Sequence, residues 1–272
     1  MVCLDQIPYL HSKRSYIKLY NMVLESTNVE EFKLIQFNDE NNLNAISASD
    51  WMRLSEEIQD FEESGLKYLV FKSVNNNFSA GANLGENASS EMIHVSNAAK
   101  KIWECKKPII SIVEGVVAGA ASNLILLSDF IIATPDIRFI EVFARRGLVV
   151  DFGGSWILPR LVGVNKAKHL MMLAEEVNGE DLYKLGLIYK LCLSDQLDSE
   201  LKLLLEKLNK VSFVSICMIK DQIRNSLDSS FKESLENETI NQNKRFIHPD
   251  SAEGVLAFLE KRQGNFSNTL NE

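Results

Sequence analysis

The chain has 272 residues, of which 46% are hydrophobic and 24% charged, a balance that fills a globular core in one domain with an appendage or in two small domains. Its formal net charge is −8 and no basic stripe with interleaved aromatics occurs, which argues against nucleic acid or an anionic membrane surface as a partner. Cys3, Cys105, Cys192 and Cys217 form no C-x-x-C pair and match no zinc spacing, so no metal site is expected and they read as free thiols in a reducing compartment.

The first residues, Met1 to Pro8, lack a basic start followed by an apolar run, so no signal peptide is expected. Residues 16–24 and 32–37 are rich in β-branched, aromatic and aliphatic types and predict a hairpin. A polar turn over 38–42 follows, and Ser47 offers an N-cap to an amphipathic helix over 48–65. Residues 68–72 read as a short buried strand, ended by Asn75-Asn76-Asn77, and a small-residue loop runs over 78–84. A helix is expected over 91–106, then Pro108 and a strand over 109–113. A glycine- and alanine-rich segment then opens a helix over 120–127, and a strand follows over 130–133. Glu114, Asn123 and Asp129 interrupt this apolar stretch, so it reads as buried strand, turn and helix and not as a membrane span; a cytoplasmic protein is expected. The recurring cycle of strand, loop and helix predicts stacked β-β-α units with a partly parallel sheet. After Arg160 strands fade, and helices are expected over 166–173, 179–185, 197–208, 214–227, 230–245 and 251–261, with a frayed polar end over 263–272.

Two segments share one physical character. Phe78-Ser79-Ala80-Gly81-Ala82-Asn83-Leu84 and Glu114-Gly115-Val116-Val117-Ala118-Gly119-Ala120-Ala121-Ser122-Asn123-Leu124 each follow a predicted buried strand and pack small residues into a bend. Small side chains let a ligand approach the backbone closely. The second segment also opens a helix, whose free N–H groups and dipole favour a developing negative charge. Two such N–H groups converging on one oxygen make an oxyanion hole. Close packing of strand on helix explains either segment taken alone.

Taken together, the two segments resemble the signature of the crotonase (enoyl-CoA hydratase/isomerase) superfamily. The likeness runs from about residue 16 to 266 and includes Asn44-Ala45-Ile46-Ser47, Lys107-Pro108-Ile109-Ile110, Ser128-Asp129, Leu158-Pro159-Arg160 with Gly163, Gly186-Leu187, and the run from Glu253 to Arg262. It implies an α/β fold: a crotonase-type spiral of stacked β-β-α units with a helical C-terminal trimerisation region. The division it suggests is an N-terminal extension over 1–15, a core over 16–205 and a helical region over 206–272. By the same resemblance Ala82 and Ala120 supply the two N–H donors to a thioester carbonyl, and Ala80, Gly81, Asn83, Leu84 and Gly119 line the substrate. No metal or other cofactor is implied; coenzyme A or phosphopantetheine enters as part of the substrate.

Hydratases of this superfamily use two glutamates to activate and deliver water. Those positions are Asn123 and Phe143 here, and neither can act as a general base, so hydration by the usual pair is disfavoured. Asn123 is left to hydrogen-bond substrate or to cap its helix. Asp151 offers another base: it follows Gly147-Leu148-Val149-Val150 and precedes Phe152-Gly153-Gly154, surroundings that desolvate a carboxylate and raise its proton affinity. Its residue type and place also suit an N-cap for a helix starting near Gly154. The resemblance favours catalysis, because the isomerase branches, the epoxyphenylacetyl-CoA isomerase branch among them, place a working aspartate here. That branch also lacks both glutamates and shares the pattern formed by Phe139, Phe143, Gly147 and Leu148. Glu141 lies nearby, but a surface or packing role is the favoured reading. Met92, His94 and Phe143 are expected to shape the acyl pocket, and His11, His169 and His248 to be solvated or structural.

The expectation is an acyl-thioester isomerase of fatty acid metabolism that moves a double bond through an enolate, with Asp151 as acid/base. A lyase, either a decarboxylase or hydratase-like, and a non-catalytic acyl-thioester binding protein are the alternatives. The stretch Asn38-Asp39-Glu40-Asn41-Asn42-Leu43 precedes the Asn-Ala-Ile-Ser motif, where the family carries a basic site for coenzyme A. Its carboxylates repel phosphates, leaving Lys261 and Arg262, which the resemblance assigns to the 3′-phosphate of a neighbouring subunit's ligand. An acyl-CoA is the expected partner, an acyl carrier protein the alternative, and the resemblance implies a homotrimer or homohexamer.

Overall fold

The structure, a computed structural model, describes residues 23–83 and 88–266. Within that span the chain order is β1 Leu24–Val29, β2 Phe32–Phe37, α1 Ala48–Glu63, β3 Tyr68–Ser73, α2 Ala88–Glu104, β4 Ile109–Val113, β5 Val116–Ala118, α3 Ala120–Leu126, β6 Phe130–Ala133 and β7 Arg138–Ile140. There follow α4 Gly154–Val162, α5 Val164–Leu173, β8 Glu176–Val177, α6 Gly179–Lys184, β9 Lys190–Leu191, α7 Leu197–Leu208, α8 Phe213–Ser226, α9 Phe231–Phe246 and α10 Pro249–Glu260. The N-terminal extension over 1–15, Cys3, His11 and Leu84 lie outside the described residues.

A hairpin forms between Leu24–Val29 and Phe32–Phe37; of the strand expected over 16–24, residues 16–22 lie outside the described residues. The polar Glu25, Ser26, Thr27 and Asn28 pair as an edge strand, with Leu24 opposite Phe37 and Val29 opposite Phe32, because an edge needs few buried side chains. From β2 onward the main sheet is parallel, in the order β1-β2-β3-β4-β6-β9. Strands buried on both faces explain the near-continuous apolar runs of β3 and β4. In β4, Ile109 and Val113 join a core with α1, α2 and α3, while Ile110 and Ile112 meet Leu201, Leu204 and Leu205 of α7 and Phe213 of α8. Helix α1 starts as expected at Ser47, in a capping box with Asp50, and buries Trp51, Leu54, Ile58 and Phe61 along one face.

A second, three-stranded sheet has the order β5-β7-β8. Strands β5 and β7 are three residues long, too short to leave a periodic signal, and β8 and β9 have two residues each. They set the architecture nonetheless. The chain runs through a main-sheet strand, then the second layer, then a helix: β3, Ser79, α2; β4, β5, α3; β6, β7, α4. Ser79 bridges Val117, and Val117 pairs Phe139, so three successive turns of a spiral stand in register. No helix among the described residues is long and apolar enough to cross a membrane.

Candidate active site

The site is built where three spiral turns leave the second layer. In the first turn, Ile46 donates to Gly81 O and accepts from Asn83 N, both at 2.8 Å. This parallel bridge to Ala82 leaves the Ala82 N–H directed away from Ile46. Ala80 N donates to Leu43 O at 2.9 Å, which ties the acidic turn carrying Asp39 and Glu40 to the same bend. In the second turn, Gly119 donates to Ile140 O at 3.0 Å and caps α3, leaving Ala120 at the first helical position with no i−4 partner. Neither Ala82 N nor Ala120 N donates to an acceptor among the described residues.

The two bends touch. Gly81 has φ +91°, and a Cβ there would stand 2.5 Å from Ala118 O and 3.2 Å from the Ala120 nitrogen, so only glycine allows the approach. Ala80, Gly81, Ala82 and Asn83 are thereby brought beside Gly119 and Ala120. Phe143 is buried, with Val142, against Gly119. Met92 is exposed and His94 half-buried on α2. Lys261 is exposed at the C-terminal end of α10, and among the described residues no hydrogen bond or ion pair joins it to either bend.

The third turn carries the acids. Asn123, one turn into α3, is fully buried; its Nδ2 donates to Asp151 O at 3.0 Å and, at a long 3.5 Å, to Glu141 Oε2. The Asn123 side chain lies on the Cα of Gly154, where any Cβ would strike it. Asn123 therefore buttresses the loop before α4 and does not cap its own helix. The capping alternative for Asp151 does not hold either: Gly153 is the N-cap of α4, without a side-chain bond, and Asp151 Oδ1 is buried and unpartnered. Burial alone pushes the Asp151 carboxyl up to about 6. The following Phe152 adopts φ +53°, strained for an aromatic residue, with its ring 5.0 Å from that of Trp51.

Of the surface or packing role expected for Glu141, burial excludes the surface one. Glu141 is fully buried just beyond β7, and its carboxyl is pushed up to about 8 by burial first, against a lowering by the Asn123 amide, with a smaller raise from the Asp151 charge. Asp151 loses its proton first, while Glu141 is neutral, so Glu141 adds nothing to its shift. Of the five buried side-chain polar atoms without a partner among the described residues, three are Asn123 Oδ1, Glu141 Oε1 and Asp151 Oδ1. Orphaned acceptors each cost about 1–3 kcal/mol, so three in one place mark a site completed by a proton or a ligand. Register was the available signal for Glu141. Gly81, Gly119 and Glu141 each stand two residues beyond the paired Ser79, Val117 and Phe139.

Beside Asp151 opens a cavity of about 390 Å³ lined by Ala99, Trp103, Leu127, Phe152, Gly153 and Trp156 among others. The Trp103 and Trp156 rings meet edge to face at 4.8 Å. A cavity of about 540 Å³ lies among α8, α9 and α10; neither cavity is lined by residues of the two bends, and the smaller one meets the third turn through Phe152 and Gly153.

A sequence model of the family described as Enoyl-CoA hydratase/isomerase matches residues 28–269. The trans-2-decenoyl-[acyl-carrier-protein] isomerase of Streptococcus mutans is 33% identical over 173 residues, covering 64% of this chain and 65% of that one. The 1,2-epoxyphenylacetyl-CoA isomerase of Escherichia coli is 30% identical over 168 residues, covering 62% and 64%. The chain thus spans just under two thirds of the length of both relatives. Among solved structures, an enoyl-CoA hydratase from Polaromonas sp. JS666 superposes with a TM-score of 0.84 at 25% identity, over 90% of this chain and 99% of that one.

Proposed function

Because the chain belongs to the enoyl-CoA hydratase/isomerase family, we propose that it is an acyl-thioester isomerase with Asp151 as its acid/base. The observation that carries this is the Asp151 carboxylate, half-buried with Oδ1 unpartnered and followed by Phe152 and Gly153, which line the 390 Å³ cavity, while Asn123 and Phe143 stand where the hydratase glutamates are expected. The Ala82 and Ala120 N–H groups bind the thioester oxygen. Asp151 takes a proton from the carbon next to the carbonyl of a 3-enoyl thioester, and the electron pair moves onto the oxygen as a dienolate. Asp151 then returns the proton two carbons away, giving the 2-enoyl product. No metal or redox cofactor enters this sequence. The acyl chain lies in the cavity walled by Trp103 and Trp156. A trimer of this chain, built by the helical region over 206–272, buries Phe231, Phe246, Ile247, Phe258 and Leu259, all exposed in the single chain.

Asp151→Asn should abolish double-bond migration in a 3-enoyl-CoA followed by NMR, since mass does not change, with folding retained. The expected loss is about 10²–10⁴-fold, the range for a general base. Full turnover by that variant refutes the proposal; loss of carbon dioxide from a malonyl-type thioester that survives the substitution favours the lyase reading.

A carrier-protein thioester is the second reading for the substrate. The Ala80–Leu43 bond sets the Asp39-Glu40 turn against the first bend, where its charges oppose the adenosine phosphates that phosphopantetheine lacks. The relative from Streptococcus mutans carries the acyl-carrier-protein name. Comparing kcat/KM for one acyl group on both carriers decides between them.

A further inference from the structure

We propose that Glu141 is a positioning residue for Asp151: it holds a proton at neutral pH and, through the Asn123 amide, fixes the Asp151 main chain, so that the site carries one negative charge and not two when the enolate forms. This rests on the isomerase reading above and goes beyond it by giving the second buried carboxyl a task.

The geometry supports three steps. Glu141 and the Asp151 backbone accept from the same Asn123 Nδ2, so the amide links β7 to the loop that carries the base. Asn123 cannot slide, because Gly154 closes behind it. Glu141 Oε1, Asn123 Oδ1 and Asp151 Oδ1 are all acceptors without donors among the described residues, and a proton on Glu141 supplies one donor to this group.

The surroundings favour that proton. Helix α3 presents only Asn123 and Ser122, whose hydroxyl donates to Val117 O and Ile140 O. On β8, Glu176 is bound by Arg138 at the surface. Arg145 and Arg146, in the 3-10 turn Val142–Arg146, are exposed; α5 packs on that turn, with Lys168 and His169 exposed and Lys166 half-buried. Among the described residues Asp151 is the one charge that acts on Glu141, and it is repulsive. A second carboxylate beside the developing enolate would oppose it in a desolvated site.

The expected rate profile is bell-shaped. Activity rises as Asp151 ionises near pH 6 and falls as Glu141 ionises near pH 8. The test compares wild type, Glu141→Gln, Glu141→Leu and Asp151→Asn. In Glu141→Gln, which keeps the size and the amide contact, the rising limb remains and the alkaline fall disappears. In Glu141→Leu, kcat drops at least about tenfold with KM little changed, because the link through Asn123 is cut. Carbon-13 NMR of labelled glutamate carboxyls reads Glu141 directly, without substrate: it should titrate near 8 in wild type and lower in Asp151→Asn.

A Glu141 carboxyl that titrates in the ordinary range, or an alkaline limb that survives in Glu141→Gln, overturns this proposal while leaving the isomerase reading intact. Asp151→Asn with full isomerase activity overturns the isomerase reading, and the proposal with it.

Discussion

Replacing Glu141 by Gln tests the buried acid through stability alone. In an unfolded chain the carboxyl has its ordinary value of 4.5; in the folded chain it is raised to about 8. The folded state therefore holds the proton more tightly, by about 5 kcal/mol. For a raised acid, that contribution is fully present below pH 4.5 and is lost as pH rises through 8. Wild type should lose about 5 kcal/mol between these limits from this group, a large share of the 5–15 kcal/mol that holds a typical domain. Glutamine does not titrate, and its amide N–H can serve one of the orphaned oxygens of Asn123 or Asp151. Urea unfolding should thus find the two proteins within about 1 kcal/mol near pH 5, and the variant several kcal/mol more stable near pH 9. Parallel loss of stability by both proteins across this range would show that Glu141 is not a buried acid, and would remove the basis for its catalytic partnership as well.

The same sign applies to Asp151, raised from 3.8 to about 6: Asp151→Asn should gain about 3 kcal/mol over wild type above pH 6 and nothing below 3.8, read in the same unfolding series. Gly81→Ala forces a Cβ against Ala118 O in a left-handed backbone conformation, and should cost about 1–3 kcal/mol of stability and about 10²–10³-fold in kcat as one N–H donor is displaced. Ala99→Phe, at the wall of the 390 Å³ cavity, should lower kcat/KM for long acyl chains far more than for short ones in a chain-length series.

The main sheet and its helices were legible because they are long enough to repeat a pattern. β4 reads as a buried strand with Ser111 its single polar residue, and Ser47 marks the start of α1. The second layer was not, because three residues such as Val116 to Ala118 fit any buried segment, and β7 is held by pairing to β5 and not by its own propensity. Gly81 and Gly119 could be singled out because small residues in a bend already imply a close approach. Asp151 was legible through the apolar run before it. Glu141 was not, because Arg145 and Arg146 follow it and make the segment look solvent-facing; both arginines are exposed, while Glu141 points inward.

The register of the spiral explains why an acid belongs at that position. Three turns end two residues beyond Ser79, Val117 and Phe139, and the first two end in Gly81 and Gly119, which open the backbone and leave the next small residue's N–H free. These turns contribute donors. The third ends in Glu141, and its helix begins late, after a 3-10 turn and the strained Asp151-Phe152-Gly153 corner, so it contributes acceptors. An enolate needs both in one place: donors where its charge gathers and a base where the proton leaves. A single buried base could serve the second need. A second acid beside it is tolerable only if it stays protonated, since an ionised Glu141 would stand first beside the Asp151 carboxylate and then, once Asp151 holds the proton, beside the enolate, two negative charges in one desolvated pocket either way. The unpartnered oxygens of Asn123, Glu141 and Asp151 fit that requirement: they are buried acceptors without donors among the described residues, as the proposed proton transfer needs.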